Sequence, residues 1–323
     1  MNLLVTGGAG YIGSVCVEEL LNAGHTVSVL DNLSEGHRSA VDPRAQFIAG
    51  DLGDPATTTE IMVRVSPEAI LHFAGSTLVG ESMQKPGKYF RNNLGNGVNL
   101  LEATIAAGVR KMIFSSTCAV YGVPERVPMT EDLPQRPINP YAESKWMFER
   151  LLQWYRQLHG LEFVALRYFN AAGASARFGE HHRVETHLIP NVLKIPLGQA
   201  SACDIFGTDY ATTDGTCVRD YVHIRDLALA HILALSPGKQ GAFNLGTGRG
   251  YTVREVIQTC SDVCGQKIPI VERPRRPGDA PILVAAAEKA RRDLGWIPRF
   301  AELSTIVASA WQWHQAHPHG YAD

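Results

Sequence analysis

Tyr141 and Lys145 are spaced so that together they could act as a general base. They follow Asn139 and Pro140, a good N-cap and a good first helical residue, so the sequence predicts that a helix begins here. One helical turn separates the two side chains and places them on the same face. Tyrosine titrates near pH ~10, and an adjacent ammonium group lowers that pKa toward the range in which a phenolate forms.

A cluster of hydroxyl groups, Ser115-Ser116-Thr117, lies at the end of the predicted strand Lys111–Ser115. Proteins built on open α/β sheets bind their ligands at the carboxyl ends of the strands. Thr117 could therefore hydrogen-bond a substrate hydroxyl and pass its proton toward Tyr141.

A glycine-rich loop near the start of the sequence is typical of dinucleotide binding. Gly7, Gly10 and Gly13 follow the predicted strand Leu3–Thr6 and open a predicted helix. Gly7 permits the tight turn, Gly10 lets backbone N–H groups approach a pyrophosphate, and Gly13 allows close helix packing. The helix N-terminus adds partial positive charge. We therefore predict a bound dinucleotide, whose oxidised nicotinamide would further lower the pKa of Tyr141.

Asp31, at the end of the second predicted strand, indicates which dinucleotide is bound. A carboxylate here accepts both hydroxyls of the adenosine ribose and repels a 2′-phosphate, so NAD is favoured over NADP. Arg38 lies nearby and is the one feature that weakens this preference. Asp51 ends the third strand and is placed to reach the adenine. The small residues of Phe73-Ala74-Gly75, at the end of the fourth strand, allow close approach to the ribose.

Short apolar runs alternate with longer amphipathic stretches in the first half of the sequence, which is typical of βαβ units and a parallel sheet. Nearly continuous apolar content indicates strands covered on both faces. The predicted strands are Leu3–Thr6, Thr26–Leu30, Ala45–Ala49, Ala69–Phe73, Lys111–Ser115 and Glu162–Tyr168. The predicted helices include Tyr11–Ala23, Phe90–Ala107 and Tyr141–Leu158.

Beyond residue 174 the pattern loosens into loops, two proline-bounded segments and isolated helices. Val222–Leu235 and Ala242–Leu245 are expected to return to the first domain. The predicted fold class is α/β, with a Rossmann-type doubly wound parallel sheet and a smaller C-terminal α/β domain that binds substrate. The first domain is predicted to comprise residues 1–174 and 222–246, and the second residues 175–221 and 247–323.

Composition excludes several classes of protein. The 323 residues carry a net charge of −2, which argues against nucleic acid or an anionic membrane surface as a partner. No apolar run approaches the ~20 residues that a membrane span requires. The N-terminus has no basic region, and the six cysteines are scattered, so we expect a cytoplasmic protein. We predict no metal site: Cys260 and Cys264 are interpreted as buried thiols, and the histidine-rich tail (His314, His317, His319) as a solvated terminus.

These motifs together resemble the extended short-chain dehydrogenase/reductase family, to which the run Tyr168-Phe169-Asn170-Ala171-Ala172-Gly173 also points. More narrowly, the sequence is similar to the UDP-glucose 4-epimerases from residue 1 to about residue 300. The most specific stretches are Asp214-Gly215-Thr216-Cys217-Val218-Arg219-Asp220-Tyr221-Val222-His223 and Arg275-Arg276-Pro277-Gly278-Asp279.

The resemblance implies a second set of site residues, which bind a UDP-sugar. Asn170 would contact the diphosphate region, and Arg219 and Arg276 would hold the diphosphate itself, since guanidinium groups are natural partners of a pyrophosphate. His187, Leu188 and Phe206 would frame the uracil and its ribose, Asp279 would accept a ribose hydroxyl, and Tyr221 and Leu283 complete the set. The expected cofactor contacts are Gly7, Gly10, Tyr11, Ile12, Gly13, Asp31, Asn32, Asp51, Leu52, Phe73, Ala74, Gly75, Asn92, Ser115, Tyr141, Lys145 and Tyr168.

The implied reaction inverts C4 of the hexose in UDP-galactose and UDP-glucose. Tyr141 would remove the 4-hydroxyl proton while hydride passes to tightly bound NAD, and the 4-ketose would turn before hydride returns to its other face. Lys145 would orient the nicotinamide ribose and lower the pKa of Tyr141, and Thr117 would relay the proton. In two places this sequence departs from the family: Ser76-Thr77 stands where a lysine is common, and Thr117 where serine is common.

Three other functions remain open at this point. A 4,6-dehydratase of the same fold carries an Asp-Glu pair after the hydroxyl residue, whereas Cys118 and Ala119 stand here and neither can transfer the required protons. Epimerisation of UDP-glucuronate or a UDP-pentose is a second alternative. The third is a non-catalytic NAD-sensing protein, although such proteins usually lose the tyrosine or the lysine.

Two finer expectations concern substrate breadth and assembly. The resemblance places Leu283 beside the C2 substituent of the sugar, where a tyrosine excludes N-acetylhexosamines and a smaller residue admits them, so we expect secondary activity on UDP-N-acetylglucosamine. Helices near residues 90–107 and 141–158 carry enough apolar residues to pair with a second copy, and we expect a homodimer.

Overall fold

A computed structural model of the protein describes residues 1–276 and 278–322. The strands are β1 (Asn2–Thr6), β2 (Thr26–Asp31), β3 (Gln46–Ala49), β4 (Ala69–His72), β5 (Lys111–Thr117), β6 (Glu162–Tyr168), β7 (Asn170–Ala172), β8 (Cys203–Phe206), β9 (Val218–Arg219), β10 (Tyr221–His223), β11 (Gly241–Leu245), β12 (Tyr251–Thr252), β13 (Ile270–Arg273) and β14 (Ile282–Leu283). The α-helices are α1 (Tyr11–Asn22), α2 (Pro55–Val65), α3 (Val79–Gln84), α4 (Pro86–Tyr89), α5 (Asn96–Ala106), α6 (Pro140–His159), α7 (Leu188–Leu193), α8 (Ile224–Ala234), α9 (Val253–Cys264) and α10 (Leu303–Ala316).

Seven strands form one parallel sheet in the order β11-β6-β5-β4-β1-β2-β3. The chain winds outward from β1 in both directions, so the strand order reverses between β1 and β4, and ligands bind in the crevice at such a point. The predicted Rossmann-type α/β fold is confirmed. The returning strand β11 pairs with β6 at the edge of the sheet, and the returning helix α8 packs against α1.

Both faces of this sheet are buried, which explains the near-continuous apolar strands. Leu3 and Val5 of β1 pack in the cluster that contains α1 and α8, whereas Leu4 between them packs in the cluster that contains α2, α5 and α6. Successive side chains of a strand point to opposite faces, so a strand between two layers of helices needs apolar residues at every position.

Two predicted elements differ from the observed ones. The strand predicted over Lys111–Ser115 continues to Thr117, so the hydroxyl cluster forms the end of β5 rather than the turn after it. The helix predicted over Phe90–Ala107 begins with a π turn at Phe90–Gly95 before α5. The Asn93 side chain in this turn bonds the backbone of Ser76 and the hydroxyl of Ser144, which accounts for the local change of pitch.

The remaining strands build small sheets around a third core. β7 pairs with β10, β8 with β13, and β9 lies between β12 and β14. Side chains of α7, α9 and α10 fill the core beneath them. These strands went unpredicted because they are two to four residues long, too short to display an alternating pattern.

All six cysteines carry free thiols. Over residues 1–276 and 278–322, no helix has both the length and the apolar character needed to cross a membrane.

Asp220 is fully buried, and its carboxylate joins three segments of the chain. Oδ1 accepts hydrogen bonds from the backbone N–H of Thr247 (2.8 Å) and from its hydroxyl (2.7 Å). Oδ2 accepts from the N–H groups of Gly248 (3.0 Å) and Ala285 (3.1 Å). Gly246 packs so closely that a Cβ atom there would lie 2.5 Å from Oδ2. Burial raises the pKa of this carboxyl, and the hydrogen bonds oppose that rise.

We expect Asp220→Asn to lower the free energy of unfolding by about 2–4 kcal/mol, because an amide NH₂ cannot accept from the N–H groups of Gly248 and Ala285. Urea denaturation followed by fluorescence measures the change. The matched control, Asp262→Asn, alters an exposed carboxylate on α9 and should stay within about 0.5 kcal/mol of the parent. Equal effects of the two substitutions would contradict the role given to Asp220.

Candidate active site

The predicted tyrosine and threonine meet at the carboxyl edge of the sheet. Asn139 caps α6 by accepting a hydrogen bond from the N–H of Ala142 (2.8 Å), and Pro140 is the first residue of the helix, as predicted. The hydroxyl of Tyr141, in this first turn, lies near enough to the Thr117 side chain at the end of β5 for Thr117 to lower its pKa. The two hydroxyl groups are therefore neighbours at the same edge of the sheet.

Burial dominates the electrostatics of Tyr141. It raises the pKa of the phenol to about 12, and the Thr117 side chain only partly opposes this rise. Desolvation of the phenolate therefore outweighs its polar neighbours. That the Lys145 ammonium lowers this pKa stays a prediction.

Lys145 is held at the same edge by the adjacent strand. Its Nζ donates to the carbonyl oxygen of Ser115 (3.0 Å) and lies 4.9 Å from the centre of the Phe114 ring. A Cβ atom on Gly75 would lie 3.3 Å from Nζ, so the ends of β4 and β5 both border the ammonium group. Burial lowers the pKa of Lys145 to about 8.

The glycine loop has the close approaches that the sequence predicts. Gly7 adopts a φ of +75°, and a Cβ on Gly13 would lie 2.2 Å from the Gly7 carbonyl oxygen. Gly10 is the N-cap of α1 and leaves the helix without a side-chain cap. The next two residues are inward-facing: the Tyr11 hydroxyl donates to the Gly173 carbonyl (2.6 Å), and Ile12 packs against the core. The N–H groups at the start of α1 can thus donate hydrogen bonds to a bound anion.

Asp31 and Asp51 lie at neighbouring strand ends. The Asp31 carboxylate accepts from the N–H groups of Ala9 (3.0 Å) and Leu33 (2.8 Å), and burial raises its pKa against these bonds. The amide group of Asn32 donates to Asp51 (2.9 Å), and Leu52 after it is buried. Arg38, the residue that weakened the NAD preference, lies over the Phe47 ring at 4.5 Å.

The departure at Ser76 has a structural counterpart. Ser76 is buried, its N–H donates to Asn93 (2.7 Å), and its hydroxyl accepts from Asn92 (3.0 Å). A serine whose hydroxyl is bonded by Asn92 and whose backbone is bonded by Asn93 therefore stands where a lysine is common. The preceding residues are also fixed: the N–H of Ala74 donates to Thr6 (3.0 Å).

Tyr168 and Phe73 share a partner inside the protein. The Tyr168 hydroxyl donates to Nε2 of His231 (2.5 Å), whose Nδ1 is bonded to the Leu227 carbonyl (2.8 Å). The Phe73 ring lies 4.7 Å from the same imidazole. Ser115, on the neighbouring strand, lies near enough to Tyr168 to lower the pKa of its hydroxyl. The ends of β4, β5 and β6 are thereby packed into one wall of the crevice.

Four predicted substrate residues form a second cluster. Nη2 of Arg219 lies 3.7 Å from Oδ1 of Asp279, and Nε of Arg276 lies 3.4 Å from Oδ2 of the same carboxylate. The Arg276 guanidinium covers the Phe206 ring at 4.5 Å. Pro277, inside this motif, lies outside the described residues. Two guanidinium groups bridged by one carboxylate are arranged to receive a dianionic ligand.

Strand pairing brings further predicted residues beside this cluster. Asn170 of β7 pairs with Tyr221 of β10, and Leu283 of β14 pairs with Arg219 of β9. Tyr221 is buried, and Leu283 is partly buried against the larger core. Asp220 connects these strands, since its carbonyl accepts from the N–H of Asn170 (2.9 Å) and its N–H donates to the carbonyl of Leu283 (3.1 Å).

His187 contacts two glutamates. Its Nδ1 faces Glu180 (2.9 Å) and Glu185 (3.0 Å), and its predicted place beside the uracil stays a prediction. Leu188, the next residue, begins α7. The two negatively charged carboxylates attract the imidazole, which explains why its ring is oriented toward them.

Three residues that position the site were missed in the sequence. Asp220 lies within the most specific stretch, so an aspartate between two strand residues was a usable signal. Glu149 and Arg167 form a buried bidentate pair behind the hydroxyl cluster, where Ser116 donates to Glu149 (2.5 Å). Residues so far apart in the chain give no local pattern, and only the fold reveals that pair.

The fold and the arrangement of tyrosine, lysine and hydroxyl group define a dinucleotide-dependent enzyme of the short-chain dehydrogenase/reductase type. The chain belongs to the NAD dependent epimerase/dehydratase family, whose sequence model matches residues 3–246. It is 48% identical over 329 aligned residues to the UDP-glucose 4-epimerase of Lacticaseibacillus casei, covering 100% of this chain and 99% of that protein. The resemblance to the UDP-glucose 4-epimerases that the motifs indicated is thereby confirmed.

Solved structures agree with this assignment. The UDP-glucose 4-epimerase of Bifidobacterium longum, in complex with NAD⁺ and UDP, superposes with a TM-score of 0.95 at 37% identity, covering 99% of this chain and 100% of that chain. The UDP-Glc/GlcNAc 4-epimerase of Campylobacter jejuni gives a TM-score of 0.85 at 39% identity, covering 97% of this chain and 99% of that chain.

Proposed function

We propose that this protein is an NAD-dependent UDP-glucose 4-epimerase that interconverts UDP-galactose and UDP-glucose. The observation that carries the proposal is the placement of Tyr141, Thr117 and the buried Lys145 together at the carboxyl edge of the sheet, where Lys145 is bonded to the Ser115 carbonyl. Full-length similarity to UDP-glucose 4-epimerases supports it. In this proposal residues 1–174 and 222–246 bind the dinucleotide, and residues 175–221 and 247–323 bind the UDP-sugar, with Pro277 and Asp323 outside the described residues.

NAD fits the residues at the crevice between β1 and β4, where the strand order reverses. The uncapped N-terminus of α1 can bind the pyrophosphate, the Asp31 carboxylate can accept the adenosine ribose hydroxyls, and the pair of Asn32 and Asp51 borders the adenine. When bound, oxidised NAD supplies a hydride acceptor for C4 of the sugar and a positive charge near Tyr141.

The side chains of the protein carry the proton. Tyr141 accepts the proton of the 4-hydroxyl group, either directly or through Thr117, and returns it after the 4-ketose has turned. Lys145, fixed to the Ser115 carbonyl, is placed to bond the nicotinamide ribose. Since burial is the main cause that raises the pKa of Tyr141 to about 12, positive charge added to the site would favour the phenolate base.

The UDP moiety fits the cluster of Arg219, Arg276, Asp279 and Phe206. The two guanidinium groups bind the diphosphate, as the pairing with Asp279 already holds them together. Phe206, under Arg276, offers a face for the uracil, and Asp279 accepts a ribose hydroxyl. Asn170 and Tyr221 line the same region through the pairing of β7 with β10.

The alternative of 4,6-dehydration is disfavoured at two positions. Cys118 is buried, and desolvation raises the pKa of its thiol to about 12, so it transfers no proton near neutral pH. Ala119 has no ionisable group. Epimerisation of UDP-glucuronate or of a UDP-pentose uses the same base and is separated by the substrate itself. A purely NAD-sensing protein would have no need of Tyr141 and Lys145.

Tyr141→Phe should reduce epimerisation of UDP-galactose by at least ~10², because the ring remains while the proton acceptor is lost. Proton NMR of the sugar after incubation with UDP-galactose measures turnover, and denaturation of the purified protein releases the bound nicotinamide for quantification. We expect NAD, not NADP, at about one equivalent in both proteins.

The control for this experiment is Tyr155→Phe on the same helix. Its hydroxyl bonds Glu102 of α5 at the surface, so turnover should stay near that of the parent. Normal turnover in Tyr141→Phe would remove this residue from the mechanism. Epimerisation of UDP-glucuronate or of a UDP-pentose, without turnover of UDP-galactose, would show that the proposed substrate is wrong.

Leu283 sets the proposed substrate breadth. It pairs with Arg219 at the diphosphate end of the site and is only partly buried, so its side chain can border the sugar. Leucine lacks the outer ring atoms and hydroxyl of a tyrosine and leaves space for an acetamido group. We propose a secondary activity on UDP-N-acetylglucosamine.

Leu283→Tyr should lower kcat/KM for UDP-N-acetylglucosamine at least ~10-fold and change that for UDP-galactose less than ~3-fold. Steady-state kinetics with both sugars measures the difference. The volume-conserving Leu283→Met should retain both activities. Equal losses on the two sugars in Leu283→Tyr, or no activity of the parent on the acetylated sugar, would exclude Leu283 as the determinant.

We propose a cytoplasmic homodimer that pairs through α5 and α6. Met147, Trp154 and Leu158 lie seven and four positions apart on α6, which places them on one face of the helix, with 37%, 56% and 70% of their surface exposed. A stripe of this kind is typical of a face that a partner covers. The six free thiols favour a reducing compartment.

Trp154→Arg should shift the protein toward monomer, because it places a charge in the centre of this face. Light scattering coupled to size-exclusion chromatography measures the mass of the parent and the variant at equal concentration. Val63→Arg, a matched change at a 70% exposed residue of α2, should leave the mass unchanged. A monomeric parent, or equal masses for parent and Trp154→Arg, would contradict the proposed interface.

A further inference from the structure

A cluster of two glutamates and two histidines lies outside the site described above. Glu180, His182, Glu185 and His187 each offer one ligand atom, and these four atoms all lie within 4.8 Å of one another. The loop that carries them precedes α7. None of the proposed epimerase chemistry uses Glu180, His182 or Glu185.

The distances within the cluster match those around a small metal ion. Oε1 of Glu180 lies 2.9 Å from Nδ1 of His187 and 3.3 Å from Nε2 of His182. Oε1 of Glu185 lies 3.0 Å from the same Nδ1 atom. Ligand atoms at the corners of a tetrahedron around Zn²⁺ are separated by roughly 3.3 Å, given bonds of about 2.0–2.1 Å.

A second observation points to a ligand inside the cluster. Nε2 of His182 is shielded from solvent and lies 3.3 Å from Oε1 of Glu180, yet it makes no well-formed hydrogen bond. The Glu180 side chain is 6% exposed, and its partners here are imidazoles rather than a lysine or an arginine. A buried ring nitrogen and a buried carboxylate that converge without a full complement of bonds require a proton or a cation between them.

We propose that Glu180, His182, Glu185 and His187 bind one Zn²⁺ ion in a closed, structural site. Two imidazole nitrogens and two carboxylate oxygens suit zinc, whereas calcium and magnesium prefer oxygen ligands alone. Two carboxylates and two neutral imidazoles carry a charge of −2, which a divalent ion neutralises. With four protein ligands there is no open position for a substrate.

The position of the site in the fold gives the ion a role. The His182 ring lies edge-on to Tyr11, the first residue of α1, with 6.1 Å between the ring centres. The Arg183 guanidinium reaches the carbonyl of Leu33 after β2 (3.1 Å). On the other side, His187 leads directly into Leu188 and α7. Zinc would therefore fix the loop between the start of α1 and the end of β2 on one side and the start of α7 on the other.

The test uses the full-length protein expressed without a histidine tag. After desalting in metal-free buffer, elemental analysis should find about one zinc per chain. Chelation by EDTA should lower the thermal midpoint, and Zn²⁺ added at a hundredfold excess over its Kd should restore it by about 5 °C. In chelated protein, Co²⁺ should give the visible absorption of a tetrahedral site.

Glu180→Gln and His182→Ala should each weaken Zn²⁺ binding at least ~10²-fold and abolish the stabilisation by zinc. His319→Ala, in the histidine-rich tail, is the matched control and should keep both stoichiometry and affinity. The wild-type measurements decide the proposal even if a cluster variant fails to fold. A parent that binds no zinc and gains no stability from it holds only ion pairs here, and the proposal falls. Loss of zinc in His319→Ala, with retention in His182→Ala, would move the site to the tail and overturn it.

Discussion

The buried carboxylate of Asp220 is the constraint on which the rest of the site depends. Its four hydrogen bonds tie residues 247–248 after β11 to Ala285 after β14. The edge of the large sheet and the small sheet of β9, β12 and β14 are therefore held by the same carboxylate. Its own backbone bonds Asn170 and Leu283. Such a buried charge is stable only when every lone pair is satisfied, so the spacing of the segments cannot vary much. The carboxyl edge of the large sheet and the cluster of Arg219, Arg276 and Asp279 are therefore held in fixed positions relative to each other.

Burial acts in opposite directions on the two titrating groups of the candidate active site. It raises the pKa of Tyr141 to about 12 and lowers that of Lys145 to about 8, so in both cases the neutral form gains. Burial thus disfavours the Tyr141 phenolate as long as no positive charge is added to the site. In the proposed mechanism, the positive charge of an oxidised nicotinamide would favour the Tyr141 phenolate and so couple proton transfer to oxidation of C4.

The sequence predicted the parts of the structure that are local. The glycine loop, the cap of α6 and six strands of the large sheet follow from residue types within a few positions of one another. The contacts of His187 with Glu180 and Glu185 were not predicted, because the loop that holds these residues has no regular secondary structure. The two-residue strands β9, β12 and β14 exist only because tertiary contacts hold them. The residue roles themselves remain predictions that the geometry supports.

The arginine cluster shows how one carboxylate can prepare a site for an anion. Arg219 and Arg276 carry like charges that would repel each other, yet Asp279 lies within 3.7 Å of one and 3.4 Å of the other. The stack on Phe206 fixes the second guanidinium further, so less side-chain freedom is lost when a ligand binds. A diphosphate has more charge and more acceptor oxygens than one carboxylate, so it can replace Asp279 at both guanidinium groups. In the proposed binding mode, the displaced carboxylate would then accept a ribose hydroxyl, so recognition of the ribose would follow binding of the diphosphate.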